Sequence, residues 1–545
     1  MVRLVTLPGV GLDCPDINMP ILKGFLEKHQ IKARHTDLNI EAFYAKLSRQ
    51  ALSNVYGSDP KKNQKIDRVL CAISIVNGSS ESTYETYRIA GDVIRKAMVE
   101  CAKPYGLVWD TKGIRYNLVL HSETIVTESL TNRMFQFFDE TFDTFVKSIT
   151  EEDQYVVLSV NCEAQYPFAI HLAKKIKARR DPKIFVVGTY LPYISEVLPA
   201  ITRKAEWIDH HIIGYPEDIL FEQIQQKNMQ EAKILETEVW KNSRNTEMES
   251  RHLSITPDFS DLDLSGYLSK ELVLPLLISN GCYYGQCRFC SFHYGDGRHF
   301  LAKTATIEQS IDTYVQKYQA KHILFVDRCI PAAVVIQMCR YIISRAYKIS
   351  WLLETRIDPL YAADENIIML KEAGCGLISF GIESADQELL RQMNKGIDFS
   401  LAEICMRKIS NEGICVASTI MLLSLEETEQ SVRRTLDYLL NNTYIDLFGI
   451  LIYAVTKCSP IYFENRRRIE SSNQIKSDLQ QVYNRTLLTE RTDPKQEALI
   501  NQFFSEKVVQ SHLECVSKIL YRSHYLFWSK EKYSFQKRKQ INGVE

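Results

Sequence analysis

Short apolar runs alternate with segments of helical periodicity over the first 240 residues of the chain. Residues 3–7, 155–160 and 184–187 are typical of buried strands, and residues 17–28 repeat their apolar positions with the spacing of one helix face. Buried strands that are separated by helices pair in parallel. The pattern therefore predicts a doubly wound, Rossmann-like α/β domain over residues 1–240, with a helical insertion between residues 41 and 150.

A second series of strands and helices is predicted over residues 269–460. Such an unbroken series favours a parallel barrel whose functional groups lie at the carboxyl ends of the strands. We predict a partial (β/α)6 barrel of the TIM type, preceded by a polar linker over 241–268 and followed by a helical region over 461–545. The predicted strands are 271–279, 322–326, 349–354, 377–381, 414–422 and 447–453, and the predicted helices are 306–319, 332–344, 363–373, 401–412 and 428–441.

Composition and charge narrow the class of protein. The 545 residues are 45% hydrophobic and 24% charged, which is typical of a globular protein and excludes a low-complexity or largely disordered chain. The net charge is −1, so no overall field attracts a nucleic acid or an anionic membrane. No run of 18 uncharged apolar residues is present, and the first residues lead into a strand without a secretory signal pattern. We expect a cytoplasmic protein with no membrane or nucleic-acid partner.

Three of the fourteen cysteines are grouped. Most of the others stand singly inside apolar runs, where cysteine packs as a small hydrophobic residue. Cys282, Cys287 and Cys290 instead fall within nine residues, in the loop that follows the first predicted barrel strand. Three thiols in such a loop can all point at one soft metal centre.

Two kinds of metal centre agree with this cysteine spacing. A structural zinc ion takes four protein ligands, so the three cysteines need a fourth ligand, which His293 could supply. That arrangement predicts a zinc-stabilised binding module. The alternative is an iron–sulfur cluster held by three thiolates, which leaves one iron open to chelate a small substrate.

The segment 280–293 reads Asn-Gly-Cys-Tyr-Tyr-Gly-Gln-Cys-Arg-Phe-Cys-Ser-Phe-His. It resembles the cluster-binding loop of radical S-adenosylmethionine (radical SAM) enzymes, in which three cysteines follow the first strand of a partial barrel. The resemblance implies that Cys282, Cys287 and Cys290 bind a 4Fe-4S cluster and that the open iron chelates the amino and carboxylate groups of S-adenosylmethionine (SAM). Reductive cleavage of SAM then gives a 5′-deoxyadenosyl radical. The resemblance also implies that Phe289 packs near the adenine.

Two departures from the family pattern concern spacing and turn chemistry. Four residues separate Cys282 from Cys287, where the family usually has three, and Gly285 gives the loop freedom to take up one more residue. Related peptide-modifying members resemble this longer form. After the fifth strand, residues 423–428 keep the glutamate and threonine of the family turn but lack its glycines and proline. The sequence therefore does not predict the close backbone approach that glycine allows at this turn.

Polar residues follow the next barrel strands in the order that the resemblance implies. Asp327 ends the second predicted strand, where the family places groups that face the substrate or the methionyl amine. Arg356 closes the third strand, and a guanidinium there can pair with a carboxylate in a bidentate manner. Glu383 and Ser384 belong to a Gly-Ile-Glu-Ser motif at the end of the fourth strand, where the family glutamate lies by the ribose. The resemblance covers residues 270–460 and makes these residues candidate SAM contacts.

The α/β layer before the barrel resembles the cobalamin-binding subclass of these enzymes. Segments 8–13, 159–161, 187–190 and 214–217 match loops that hold cobalamin at the carboxyl ends of the strands, facing the cluster. No Asp-x-His-x-x-Gly segment is present to supply a lower axial histidine, although the subclass often lacks one. The alternative is a Rossmann-like domain that has lost the cofactor.

The activity that the resemblance implies is cobalamin-dependent transfer of a methyl group to a carbon of a peptide or small natural product. The run Cys-Tyr-Tyr-Gly-Gln-Cys resembles enzymes that mature ribosomally synthesised peptides (RiPPs), and an electron donor such as flavodoxin or ferredoxin is implied. The alternative outcome of the same radical is epimerisation or crosslinking of a peptide without cobalamin.

Two further features are interpreted as structural. His210 and His211 are neighbours in a predicted strand, so one is expected to be buried and the other exposed, which disfavours a shared metal. The segment 518–539 interleaves basic and aromatic residues. Such a pattern can bind a peptide or a nucleic acid, but a solvated amphipathic helix is more common and is the prediction here.

Overall fold

The computed structural model of the chain describes residues 1–57, 59–225, 233–236, 253–292, 299–471, 477–484, 493–517, 521–528 and 534–535. These residues form two units, and the chain passes from the first to the second between Leu272 and Val273. Residues 477–481 belong again to the first unit. None of the described helices is long and apolar enough to cross a membrane.

A parallel six-stranded sheet forms the centre of the first unit. The strands of this unit are β1 Val2–Thr6, β2 Ala33–Asp37, β3 Leu107–Asp110, β4 Gly113–Tyr116, β5 Tyr155–Ser159, β6 Lys183–Val187, β7 His210–Ile213 and β8 Ile234–Glu236. The sheet has the order β2-β1-β5-β6-β7-β8 with every pairing parallel, and β3 and β4 form a separate hairpin. Strands β1, β5 and β6 are almost entirely buried, as parallel strands are when helices cover both faces. The predicted doubly wound α/β domain is confirmed, with the strand order of flavodoxin-like sheets.

The predicted helical insertion contains one element that periodicity did not predict. The described helices of the first unit are α1 Asn18–Lys28, α2 Leu38–Lys46, α3 Arg49–Tyr56, α4 Pro60–Val76, α5 Tyr84–Ala102, α6 Ile125–Thr131, α7 Asp139–Ser148, α8 Tyr166–Lys177, α9 Leu198–Thr202 and α10 Pro216–Ile224. The β3–β4 hairpin lies among them. Trp109 on β3 is buried and packs edge-on against Phe137 and Phe138, so the hairpin contributes to an aromatic core.

The described part of the predicted linker, residues 253–268, packs against the first unit and is here called the strap. Lys23 on α1 is buried, and its ammonium group lies 3.1 Å from Asp258 and 2.8 Å from Asp261 of the strap. Burial alone lowers the pKa of Lys23, but the hydrogen bonds to Asp261 and Asp258 raise it above its ordinary value. Asp258 and Asp261, two of the polar residues of the predicted linker, are therefore the partners of a buried cation.

The two adjacent histidines correct one prediction. His210 and His211 are both buried, because β7 lies between β6 and β8 in a sheet that is covered on both faces. The Nε2 atom of His211 shares a 2.8 Å hydrogen bond with the Tyr166 hydroxyl, and His210 stacks on Phe185. Burial lowers the pKa of His211 to about 3, so the ring is neutral near pH 7. The expectation of one exposed histidine is wrong, since residue alternation exposes one side chain only when one face of a sheet meets water.

A second parallel six-stranded sheet forms the centre of the second unit. The strands are β9 Val273–Leu276, β10 Ser279–Asn280, β11 Phe300–Leu301, β12 His322–Phe325, β13 Ser350–Thr355, β14 Cys375–Glu383, β15 Cys415–Leu422, β16 Leu447–Ile452, β17 Ala454–Thr456 and β18 Val482–Asn484. The large sheet has the order β16-β15-β14-β13-β12-β9, all parallel, and two short antiparallel pairs join β10 to β11 and β17 to β18. This order of consecutive strands confirms the predicted partial (β/α)6 barrel.

The first barrel strand ends three residues earlier than the pattern predicts, at Leu276. The Val326 N–H donates to the Leu276 carbonyl, which continues the ladder to its last step. The N–H groups of Ile278 and Ser279 then donate to the side chain of Asp327 instead of a neighbouring strand. A carboxylate that follows β12 therefore ends the ladder and redirects the chain.

The five helices predicted between the barrel strands are confirmed, with ends that differ by at most three residues from the prediction. The described helices of the second unit are α11 Thr304–Gln316, α12 Ala332–Ser344, α13 Asp364–Glu372, α14 Gln387–Gln392, α15 Phe399–Asn411, α16 Glu429–Asn441, α17 Pro460–Glu470, α18 Pro494–Ser505 and α19 Lys507–Ser517. The last three agree with the helical region expected after the barrel.

The described part of the segment 518–539 differs from the predicted solvated helix. Residues Arg522–Phe527 form a short 3-10 helix, and the Phe527 ring centre lies 5.0 Å from that of His322 on β12. Phe535 is fully buried. These aromatic residues pack on the barrel, because an apolar ring gains more free energy from burial than from contact with water. The rest of this segment lies outside the described residues.

Candidate functional site

The cysteine loop, residues 281–292, follows the carboxyl end of the first barrel strand. Its first residue, Gly281, has a φ of +67°, and Gly285 has a φ of +59°. Both angles lie in the left-handed region, which glycine adopts without strain and other residues rarely adopt. The long spacing between Cys282 and Cys287 therefore turns through a glycine.

The loop cysteines lie in a partly buried and positively charged environment. Cys287 is 8% exposed, and the Nη1 atom of Arg356 lies 3.9 Å from its Sγ. Burial raises the pKa of Cys287, while the charges of Lys395 and Arg356 oppose that rise. Burial also raises the pKa of Cys290, to about 11. Two cations beside a buried thiol favour the thiolate, which is the form that binds iron.

A fourth cysteine lies beside the first. Cys329 follows β12, is 2% exposed, and is joined to Cys282 by an isolated parallel β-bridge. The nearby Cys329 thiol lowers the pKa of Cys282 to about 5, and Cys282 in turn raises the pKa of Cys329. Cys329 stands singly in the sequence, so the cysteine spacing does not predict it as a residue of this site. The available signal was its position two residues after Asp327, at the end of a barrel strand.

The geometry of the described donors does not resemble a mononuclear metal site. No three His, Cys, Asp or Glu side chains of the described residues are grouped closely enough to hold one metal ion. A zinc site requires all its sulfurs at about 2.3 Å from a single ion, whereas each cysteine of an iron–sulfur cluster binds a different iron. His293, the proposed fourth zinc ligand, lies outside the described residues. Three thiols on one loop fit the donor set of a cluster with one open iron.

Asp327 closes the base of the cysteine loop. Its Oδ1 accepts hydrogen bonds from the Ile278 N–H at 3.0 Å, from the Ser279 N–H, and from the Ser279 hydroxyl at 2.7 Å. Its Oδ2 is buried and has no hydrogen-bond partner among the described residues. Burial raises the pKa of Asp327 to about 7, although these hydrogen bonds oppose the rise. One carboxyl oxygen therefore supports the loop, and the other is left for a donor.

Arg356 makes its contacts with the loop and with the turn after α14. Its guanidinium lies 3.8 Å from the centre of the Tyr284 ring, and its Nη2 donates to the carbonyls of Lys395 and Gly396. Gly396 has a φ of +65°, and a Cβ there would lie 2.2 Å from the Tyr284 hydroxyl oxygen. Only glycine therefore lets Tyr284 close over this turn. The pairing of Arg356 with a carboxylate of SAM stays a prediction.

Glu383 and Lys395 form a buried ion pair at the end of β14. The Oε1 and Nζ atoms lie 2.8 Å apart, and the two side chains are 10% and 8% exposed. Glu383 has a φ of +65°, where a residue with a side chain carries strain on the order of 1–3 kcal/mol. Burial by itself lowers the pKa of Lys395, but Glu383 and Cys287 raise it overall. Lys395 and Glu383 are 12 residues apart in the sequence, so no local pattern predicts this pair.

Two other predicted cofactor contacts lie in different surroundings. Ser384 is fully buried, and its hydroxyl lies 3.0 Å from Thr435 Oγ1 and accepts a 3.0 Å hydrogen bond from the Asp386 N–H. Ser384 therefore supports the start of α14 and contacts α16 through Thr435. The Phe289 ring lies at the loop, with Lys395 Nζ 5.6 Å from its centre, and packs against a buried apolar cluster. Of these two residues, Phe289 is the one that lies with the charged groups of the site.

The turn after β15 supports the cysteine loop without the glycines of the family pattern. Arg288 in the loop donates to Glu426 in the turn at 2.9 Å. Leu423 has a φ of +63°, so a leucine takes the left-handed conformation that glycine usually supplies. Glu427 closes the turn by accepting a 3.1 Å hydrogen bond from the Ser424 N–H. The tight turn therefore forms despite its composition.

Polar contacts close the carboxyl edge of the first sheet. Asn161, after β5, donates to Asp16 at 2.9 Å and to Ser159 at 3.0 Å. Burial raises the pKa of Asp16 to about 6. Gly188, after β6, has a φ of +135°, and a Cβ there would lie 2.2 Å from the Val160 carbonyl oxygen. Both loops belong to segments that were predicted to hold cobalamin, and Gly188 allows a close backbone approach.

Comparison with known proteins gives a family match for the barrel. Residues 276–439 match the Radical SAM superfamily. A curated relative, the anaerobic magnesium-protoporphyrin IX monomethyl ester cyclase of Rubrivivax gelatinosus, is 21% identical over 187 residues. That match covers 33% of this chain and 33% of the cyclase, so the chain matches about a third of the relative's length.

Two solved structures share the fold over almost the whole chain. One is the radical S-adenosylmethionine methyltransferase TsrM from Kitasatospora setae with cobalamin and a 4Fe-4S cluster bound, at a TM-score of 0.57, 12% identity and 99% coverage of both chains. The other is the cobalamin-dependent S-adenosylmethionine radical enzyme OxsB with aqua-cobalamin and SAM bound, at a TM-score of 0.59, 13% identity and coverage of 95% of this chain and 68% of OxsB. Residues 276–439 therefore match the Radical SAM superfamily, and the chain shares the fold of these two cobalamin-dependent radical SAM enzymes.

Proposed function

We propose that the chain is a cobalamin-dependent radical SAM methyltransferase that acts on a carbon of a peptide or a small natural product. The observation that carries this proposal is a three-cysteine loop beside the buried Glu383–Lys395 pair, at the carboxyl end of a partial barrel. The cobalamin bound in both similar solved structures supports the cofactor. The tryptophan substrate bound to TsrM supports a substrate that carries an amino-acid side chain.

The proposed ligands of a 4Fe-4S cluster are Cys282, Cys287 and Cys290. The donor set fits this group, because three free thiols lie on one loop and three cysteines can each bind one iron of a cluster. When bound, the cluster supplies the electron that cleaves SAM to methionine and a 5′-deoxyadenosyl radical. Arg356 and Lys395 compensate the negative charge that three thiolates bring into a largely buried site.

The same region offers complementary groups for SAM. The free Oδ2 atom of Asp327 is proposed to accept a hydrogen bond from the methionyl ammonium group. Glu383 is proposed to accept hydrogen bonds from the ribose hydroxyls, while its Oε1 atom also accepts a hydrogen bond from Lys395. Phe289 is the proposed apolar contact of the adenine. Arg356 is proposed to hold the loop, because it contacts a tyrosine ring and two carbonyls. Its pairing with the carboxylate of SAM is proposed as well.

The loops at the carboxyl edge of the first sheet are the proposed cobalamin-binding loops. Gly188 lets the loop after β6 pack directly against the Val160 backbone of the loop after β5, which fixes these two loops beside each other. Asn161 and Thr189 place polar groups at the same edge. When bound, methylcobalamin supplies the methyl group for transfer.

Anaerobic purification with iron, sulfide and cobalamin tests this proposal. We expect about four irons per chain, a corrinoid visible by its absorption spectrum, and 5′-deoxyadenosine formed from SAM with a strong reductant. The triple variant Cys282→Ser/Cys287→Ser/Cys290→Ser should lose the iron and the 5′-deoxyadenosine. The control variant Cys339→Ser, which removes a buried thiol from α12, should retain both.

Methyl-labelled SAM separates methylation from the other radical outcomes. Label on a carbon of the product supports the proposal. Epimerised or crosslinked peptide without label supports the alternative reaction of the same radical. A colourless protein that contains zinc and no iron would contradict the proposed function.

A further inference from the structure

Cys282 and Cys329 come together from two different strand ends. Cys282 lies in the cysteine loop, and Cys329 follows β12, two residues beyond Asp327. A parallel β-bridge joins their backbones, so the two residues are direct neighbours. Cys329 is not among the three proposed cluster ligands, so the proposed function leaves it without a role.

The geometry of this pair suits a covalent link. Neighbouring strands lie about 4.8 Å apart, and the Cα atoms of a cystine lie roughly 4.4–6.8 Å apart. Because the two residues are paired across a parallel β-bridge, an S–S bond requires only local adjustment. We propose that Cys282 and Cys329 form a reversible disulfide in the cluster-free protein, and that this disulfide blocks cluster assembly until it is reduced.

The exposure of the two thiols determines which of them reacts first with an oxidant. Cys282 is partly exposed and Cys329 is buried, so an oxidant meets Cys282 first. The proposed oxidant is a low-molecular-weight disulfide such as oxidised glutathione. The Cys282 thiolate attacks one of its sulfurs, which breaks the glutathione S–S bond and releases one glutathione thiolate. Cys329 then loses its proton and attacks the Cys282 sulfur, which releases the second glutathione. Two protein thiols thus give two electrons and two protons to two glutathione molecules.

The disulfide changes what the loop can bind. With Cys282 oxidised, the loop keeps only the thiols of Cys287 and Cys290, one fewer than the proposed cluster requires. The disulfide also protects Cys282, because a disulfide is reversible by thiols whereas oxidation to the sulfinic acid is not. The effect on cluster assembly rests on the proposed function, but formation of the disulfide does not.

The experiment uses the full-length protein after its iron has been removed anaerobically with a chelator. The protein is treated with oxidised glutathione, its free thiols are alkylated, and the disulfides are mapped by peptide mass spectrometry. A parallel sample is reconstituted with iron and sulfide, with and without a thiol reductant. We expect the Cys282–Cys329 crosslink to dominate, and iron uptake to be at least about tenfold lower without reductant.

Two variants make the result specific. Cys329→Ser should abolish the crosslink and, after reduction, take up as much iron as the wild type. The matched control Cys339→Ser should retain the crosslink. The wild-type map needs no variant, so it decides the question even where a substitution disturbs folding.

Four other outcomes have fixed meanings. A Cys329 thiol that stays free in the oxidised wild type would overturn the proposal, and so would a dominant crosslink between Cys287 and Cys290. Full iron uptake by the crosslinked protein without reductant would overturn the proposed block. A Cys282–Cys329 crosslink in a protein that takes up no iron after reduction would support the disulfide and contradict the proposed function, so the two failures are distinguishable.

Discussion

The carboxylate of Glu383 lies 2.8 Å from the ammonium group of Lys395, and both side chains are buried at the end of the fourth barrel strand. Glu383 holds this position with a φ of +65°. Strained residues of this kind persist only where their surroundings hold them, and they are frequent at functional sites. The pair joins the strand end to the turn whose carbonyls receive Arg356. A change at Glu383 should therefore affect both stability and ligand binding.

Glu383→Gln should weaken SAM binding by roughly tenfold or more and lower the free energy of unfolding by about 3 kcal/mol, because Lys395 is left buried without a counterion. Calorimetric SAM titration and urea unfolding measure the two effects. The double variant Glu383→Gln/Lys395→Met should recover most of the stability but not the SAM affinity. Glu388→Gln breaks an exposed ion pair with Arg391 and serves as the control, with no measurable change expected. A double variant with wild-type SAM affinity would contradict the proposed ribose contact.

Asp327→Asn tests the buried carboxyl through the pH dependence of stability. Burial raises the pKa of Asp327 to about 7 in the folded protein, against about 3.9 in the unfolded chain. The protonated Asp327 carboxyl contributes its full stabilisation of the fold below about pH 4. This contribution is lost as the pH rises to about 7, because the unfolded chain releases the Asp327 proton at a lower pH than the folded protein does.

The free energy of unfolding of the wild type should therefore fall by about 2–3 kcal/mol more than that of Asp327→Asn between about pH 4.5 and pH 7.5. Urea unfolding at the two pH values measures the difference. Parallel pH profiles for the two proteins would show that Asp327 is ionised in the folded state throughout this range.

Gly396→Ala should disturb the cysteine loop, because the new Cβ would lie 2.2 Å from the Tyr284 hydroxyl oxygen at a φ of +65°. We expect less than about half of the wild-type iron content after reconstitution and a loss of stability on the order of 1–3 kcal/mol. Gly449→Ala is the matched control, since nothing lies within 4 Å of a Cβ at that strand position. Equal iron content in the two variants would show that Tyr284 does not depend on this turn.

Lys23→Met should release the strap from the first unit. The substitution leaves Asp258 and Asp261 without the buried cation that lies 3.1 Å and 2.8 Å from them. Hydrogen exchange of the peptides that cover residues 256–262 should become at least about tenfold faster, whereas the core strands should keep their protection. Lys28→Met, at an exposed position on the same helix, is the control. Unchanged exchange in the strap would show that apolar packing alone holds it.

Both sheets were predictable because their strands are continuous apolar runs, which is typical of parallel strands that are covered on both faces. The cysteine loop was predictable because three closely spaced thiols after a strand have few structural explanations. The same rule of burial explains the error at His210 and His211, where alternation predicted an exposed side chain in a fully covered sheet.

The remaining features depend on contacts between residues that are distant in sequence. Lys395 acquires its partner through the left-handed backbone at Glu383, and no local pattern indicates that conformation. Cys329 meets Cys282 only because β12 and the loop after β9 are neighbours in the barrel. The strap was interpreted as a linker because its acidic residues suggest solvent, whereas Lys23 pairs with them from a buried helix face.

Formation of 5′-deoxyadenosine by the anaerobically reconstituted protein is the decisive measurement for the proposed radical chemistry. We expect an iron-containing protein that forms 5′-deoxyadenosine from SAM when reduced, and a Cys282→Ser/Cys287→Ser/Cys290→Ser variant that binds no cluster and forms none. A reconstituted wild-type protein without iron, or equal product from the wild type and the triple variant, would contradict it.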